Sequence, residues 1–114
     1  MKIDNVENYL GGWLVGDFQP ALFHLKNCEI CVKEISAGYK DERHYHMLST
    51  EFNVIISGRL LANGSSLKEG DIFIYGPSEV NDVEVLEDTI LLVIRDASNP
   101  LDKHTDLENL TPEP

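Results

Sequence analysis

Apolar residues in this chain never run far before a turn signal stops them. The longest unbroken apolar stretch spans only residues 90–94. Elsewhere apolar and polar positions alternate or gather in threes and fours. Alternation at period two marks half-buried strands, and no segment repeats at the 3.6-residue period of a helix. Candidate strands cover residues 21–25, 29–35, 44–46, 52–57, 59–62, 71–75, 83–86 and 89–95. Asn63-Gly64 is a type I′ hairpin signal, and Glu69-Gly70, Gly76-Pro77 and Glu87-Asp88 separate the remaining runs. About eight short strands so spaced predict an all-β fold, an antiparallel sandwich or barrel.

With 114 residues, 42% of them hydrophobic, the chain can fill one core and has no room for a second domain. No apolar run approaches the length needed to span a membrane. No apolar stretch follows Lys2, so no secretory signal is read there and a cytoplasmic protein is expected. Nine Lys+Arg stand against 20 Asp+Glu, a net charge of −11. No two basic residues are adjacent. Nucleic acid and anionic membrane surfaces both need clustered basic residues, so neither is expected as a partner.

Cys28 and Cys31 occur as Cys-Glu-Ile-Cys. A redox pair or half a zinc site would use such spacing. On a strand, however, residues three apart point to opposite faces. No second cysteine pair completes a zinc ribbon. The pair reads as ordinary reduced thiols.

The chemistry concentrates between Gly38 and Gly58. His44 and His46 are two apart, which on a strand places both rings on one face. Glu51 follows a short reversal and can return to that face from the next strand. Two imidazoles and one carboxylate converging from one side form the facial set that suits Fe(II), and Mn, Ni, Co and Zn accept similar donors. Asn53 shares parity with Glu51 and is a candidate substrate contact. Phe73 and Tyr75 share parity with Asp71, which makes Tyr75 a second candidate for the pocket and Phe73 a core residue. Phe52, Val54 and Ile56 fall on the opposite face, against another layer or a partner subunit.

The spacing Gly38, five residues, His44, one residue, His46, four residues, Glu51, six residues, Gly58 resembles the first motif of the cupin superfamily at every fixed position. The second motif is matched less well. Gly70 is present, the proline is displaced to Pro77, Ser78 stands where glycine is usual, the third histidine falls on Asn81, and the closing asparagine falls on Val85. Residues 13–20 and 99–103 are similar to flanking segments of small stand-alone cupins. The resemblance implies a jelly-roll (cupin) barrel with a divalent transition metal, Fe, Mn, Ni or Zn, held inside by His44, His46, Glu51 and Asn81. Asp82 replaces Asn81 if a bulge near Pro77 exchanges their faces. It further implies a homodimer that acts on or binds a small polar or sugar-like molecule. As an enzyme it would be a metal-dependent isomerase, epimerase or dioxygenase. The alternative is a metal-free ligand-binding or regulatory barrel. Residues 1–20 are expected as a lead-in forming an edge strand, lid or dimer contact. Residues 21–96 are expected as the barrel, and 97–114 as an acidic, partly flexible tail.

Overall fold

Strand pairing organises nearly the whole chain. The structure, a computed structural model, describes residues 1–110. Residues 111–114, the end of the expected tail, lie outside the described residues. Nine strands form among the described residues: β1 (Trp13–Gly16), β2 (Phe23–His24), β3 (Glu29–Ile35), β4 (Glu51–Ser57), β5 (Arg59–Ala62), β6 (Ser65–Lys68), β7 (Ile72–Tyr75), β8 (Val83–Val85) and β9 (Thr89–Arg95). Helix among the described residues is limited to three-residue 3-10 turns at Val6–Asn8, Leu10–Gly12 and Leu107–Asn109. No helix among them is long and apolar enough to cross a membrane.

The strands make two sheets, β2-β1-β3-β9-β4-β7 and β6-β5-β8. All pairings are antiparallel except the short parallel contact of β1 with β2. This is the all-β fold expected from the alternation, in the jelly-roll form that the resemblance implies. The segment carrying His44 and His46 joins through isolated bridges and makes no continuous ladder. His44 pairs with Asn81, and Tyr45 pairs with His104. β1 lies within the stretch set apart as a lead-in. It is an inner strand of the larger sheet, between β2 and β3.

Two tight corners explain why glycine stands where it does. Asn63 and Gly64 have φ of 48° and 83°, so both central residues of the β5–β6 turn are left-handed, as a type I′ turn requires. Gly58, at the β4–β5 corner, has φ 97°. A Cβ there would lie 2.4 Å from both the Asp88 carbonyl oxygen and Thr89 Oγ1.

Alternation sorts each long strand into an inner and an outer row. Inward are Cys31, Ile55, Leu60, Val85, Leu91 and Val93, which pack as one cluster. Burial of this kind contributes about 25 cal/mol per Å² of apolar surface, and it is the main stabilising term of the barrel. Neither cysteine is disulfide-bonded, and burial pushes the Cys31 thiol up to about 11. Outward, Phe52 faces Ile74 and Ile94, while Val54 faces Ile72 and Leu92. That outer face is apolar across four strands, and Ile72 and Ile74 are 62% and 52% exposed.

Candidate metal centre and cavity

The register of the large sheet sets out the floor of the site. Arg95 is directly opposite Glu29 on one side and Glu51 on the other, and Glu51 is opposite Tyr75. The next inward row is Cys31, Val93, Asn53 and Phe73. Four side chains of the first row therefore share the interior face without any bulge between them.

Arg95 binds both flanking carboxylates. Its Nε and Nη2 each lie 2.8 Å from Glu51 Oε2, and its Nη1 lies 3.2 Å from Glu29 Oε1. The guanidinium sits 5.0 Å from the centroid of the Trp13 ring, within cation–π range. The other oxygen of Glu51 accepts from Asn53 Nδ2 at 3.1 Å and from Asn81 Nδ2 at 3.3 Å. Burial alone would raise the pKa of Glu51. The charge of Arg95, with the hydrogen bonds from Arg95 and Asn53, outweighs burial and holds it below the ordinary carboxylate value.

Opposite this floor, His44 and Asn81 exchange backbone hydrogen bonds, 2.6 Å from the Asn81 N–H and 3.3 Å from the His44 N–H. Residues paired in this way hold their Cβ atoms about 5 Å apart on one face. His44 Nδ1 is 2.8 Å from the Glu42 carbonyl oxygen. A carbonyl only accepts, so Nδ1 carries the hydrogen and Nε2 presents a lone pair. The His46 ring packs edge-on to His44, centroids 5.2 Å apart. His46 Nδ1 is 3.8 Å from Glu51 Oε2, while its Nε2 is buried with no partner. Burial foremost, then the charge of Arg95, pushes the His46 pKa down to about 4, so the ring is neutral at pH 7. Asn81 turns its amide hydrogens to Glu51, which leaves its Oδ1 buried and unpartnered.

Unpartnered buried polar atoms are uncommon and need an explanation. Here there are two, His46 Nε2 and Asn81 Oδ1, on the two residues that adjoin His44: the His46 ring packs against it and Asn81 is its backbone partner. Two imidazole nitrogens and an amide oxygen form a neutral donor set that suits a divalent transition metal. Both oxygens of Glu51, an expected ligand, are engaged by Arg95, Asn53 and Asn81. No three His, Cys, Asp or Glu side chains among the described residues are placed to hold a metal ion together. Asp82 faces away from the set. Its carboxylate lies 3.7 Å from Arg43, so Asn81 is the residue that faces inward.

The site opens into a cavity of about 430 Å³. His44, Glu51, Asn53, Asn81 and Arg95 reach its wall, together with Trp13, Phe18, Tyr39 and Phe73. Asn53 thus meets the cavity as expected from its parity. Tyr75 does not line it. Its hydroxyl donates instead to Asn63 Oδ1 at 2.7 Å, bracing the β5–β6 turn. Three carboxylates (Glu29, Asp41, Glu51) and three cations (Lys33, Arg95, Lys103) border the cavity, so it is close to neutral despite the acidic surface.

Two residues escaped the sequence reading. Arg95 was readable as inward from its parity with Leu91 and Val93, but its partners depend on register. Asp102, in the expected tail, is buried and accepts from the Met47 and Leu48 amides at 2.9 and 3.1 Å. Its second oxygen lies 3.4 Å from Ser49 Oγ. It holds the reversal between His46 and Glu51. The sequence carries no signal for this contact, which joins residues more than 50 positions apart.

No family model matches the chain, and no curated protein does. Solved structures do. A protein with a double-stranded β-helix domain from Klebsiella pneumoniae is 22% identical over 86% of each chain, with a TM-score of 0.64. The DMSP lyase DddQ from Ruegeria pomeroyi is 16% identical with a TM-score of 0.68, and the match covers 87% of this chain and 52% of DddQ. An RmlC-like cupin from Ralstonia eutropha is 15% identical with a TM-score of 0.57, over 74% of this chain and 62% of its own. The shared feature is the double-stranded β-helix, and with the two antiparallel sheets closing over one interior it places this chain in the cupin fold.

Proposed function

We propose that the chain binds a divalent transition metal through His44, His46 and Asn81, and takes a small polar or sugar-like molecule into the adjoining cavity. The observation that carries this reading is the pair of buried polar atoms without partners, His46 Nε2 and Asn81 Oδ1, on the residues that adjoin His44. Iron, manganese, nickel and zinc all accept such donors, and any of them supplies Lewis-acid polarisation of an oxygen on a bound molecule. The backbone carbonyl of Glu42 fixes the His44 tautomer, as a carbonyl or carboxylate on the far ring nitrogen commonly does for ligating histidines. The near-neutral rim and the aromatic walls favour an uncharged or weakly charged polar ligand with apolar faces, in keeping with the usual make-up of small-molecule sites.

Elemental analysis of untagged protein beside a His44→Ala/His46→Ala variant tests this. Near-stoichiometric metal in the wild type and none in the variant is expected. No metal after soaking with Fe(II), Mn(II), Ni(II) and Zn(II) would overturn it. The engagement of Glu51 by Arg95 favours a second reading, a metal-free barrel. In that case hydroxyl groups of the ligand donate to the same three acceptors, and ligand-dependent stabilisation persists in chelator.

The outer face of β3, β9, β4 and β7 fits a second copy of the chain. It is apolar and carries no charge at Phe52, Val54, Ile72 or Ile74, within a chain of net charge −11. A twofold pairing buries the same patch on both copies. Light scattering at micromolar concentration should give the dimer mass for the wild type and the monomer mass for Ile74→Glu. A monomeric wild type would refute it.

A further inference from the structure

We propose that Arg95 keeps Glu51 out of the ligand set, so that the pocket offers a weak neutral site of His44, His46 and Asn81 where a charged His44–His46–Glu51 site would otherwise stand. The inference deepens the metal reading above and rests on it. Two nitrogens of one guanidinium bind the same oxygen of Glu51 at 2.8 Å. Both side chains are largely buried, 17% and 8% exposed, so water competes little for either. A guanidinium stays charged at every accessible pH, so no titration releases the carboxylate. Nor can Arg95 easily swing away. Glu29 holds its Nη1, and its guanidinium carbon lies over the Trp13 ring.

The remaining oxygen of Glu51 is occupied too. It accepts from the Asn53 and Asn81 amides. The same contact turns Asn81 Oδ1 towards the open side. One carboxylate thus serves to orient a neighbouring donor, and Arg95 makes that role permanent. Arg95 also adds a fixed positive charge beside the place where a dication would sit, which weakens binding further. The side chain at position 95 therefore sets both the composition and the strength of the site.

Metal affinity reads this directly. Zn(II) and Mn(II) binding should be measured by calorimetry for the wild type and for an Arg95→Met/Glu29→Gln variant. Removing Glu29's charge with Arg95 avoids stranding a second buried carboxylate. The variant should bind on the order of 10–100-fold more tightly, the range in which outer-shell groups tune metal sites. Adding Glu51→Gln should abolish that gain. Equal affinity in wild type and variant would overturn the inference while leaving the metal reading intact. Binding by the variant alone would uphold the block by Arg95 and refute metal binding by the native chain. Binding by neither would refute both.

A second measurement needs no change at Arg95. The Co(II) absorption spectrum of the loaded wild type should keep its band positions in Glu51→Gln. A changed spectrum would make Glu51 a ligand and overturn the proposal. A wild type that takes up no Co(II) would refute the metal reading.

Discussion

β4 carries Ile55 towards one end of the barrel interior and Glu51 at the other, and β9 does the same with Leu91 and Arg95. The apolar end is filled by Ile55, Leu60, Val85 and Leu91, each almost fully buried. The polar end holds Glu29, Arg95, Glu51 and Asn53 on the larger sheet, with His44, His46 and Asn81 on the bridged segments opposite. The first end is held by close packing, which tolerates swaps that conserve volume. At the second, every buried group needs a particular partner, and the loss of one leaves another unsatisfied. Stability is concentrated where side chains are interchangeable, and recognition where they are not.

That contrast can be tested by a graded series. Leu60→Ala, at the centre of the apolar end, should cost about 3 kcal/mol in urea unfolding through lost burial and a residual cavity. Metal or ligand affinity should stay unchanged. A large loss of affinity in this variant would show that the two ends are not separable.

The polar end should respond instead to pH. His46 is held neutral in the folded chain down to about pH 4, whereas in the unfolded chain it takes up a proton near pH 6.5. Glu51 likewise resists protonation when folded. The unfolded state therefore binds more protons throughout this window, and folding stability falls as pH drops from 6.5 to 4. Thermal melts should show a lower midpoint at pH 4.5 than at pH 7, and His46→Gln should flatten the part of the slope that begins near pH 6.5. A pH-independent midpoint would contradict the burial of a neutral imidazole.

Tyr75→Phe should have the smallest effect, about 1 kcal/mol, because it removes one hydrogen bond to Asn63. Ligand binding should not change, since the hydroxyl faces the β5–β6 turn and not the cavity. Weakened binding would restore Tyr75 to the pocket.

Much of the barrel was legible because its strands obey local rules. Residues 29–35 and 89–95 match β3 and β9 end to end, and 52–57 misses only the first residue of β4. Both are two-sided runs with clear parity, bounded by turn residues. β1 was not legible. Its four residues, Trp-Leu-Val-Gly, follow a glycine pair, end on a third glycine and show no alternation, and its partner β3 begins 13 positions after it ends. Parity alone paired His44 with His46, paired Glu51 with Asn53, and set Asn81 and Asp82 on opposite faces. Which of those faces turns inward was implied by the resemblance. What parity does not supply is register, and register is what brings Arg95 between two carboxylates. Local alternation says which face a residue occupies, whereas its neighbours on that face come from strands up to 66 positions apart.

The Asp102 contact has a consequence in time as well as in space. The turn at 47–49 finds its acceptor 53 to 55 residues later in the chain. During synthesis the histidines, Glu51 and both sheets emerge from the ribosome before this carboxylate does. The reversal that sets His46 and Glu51 side by side therefore cannot make these hydrogen bonds until every strand of the barrel has been synthesised.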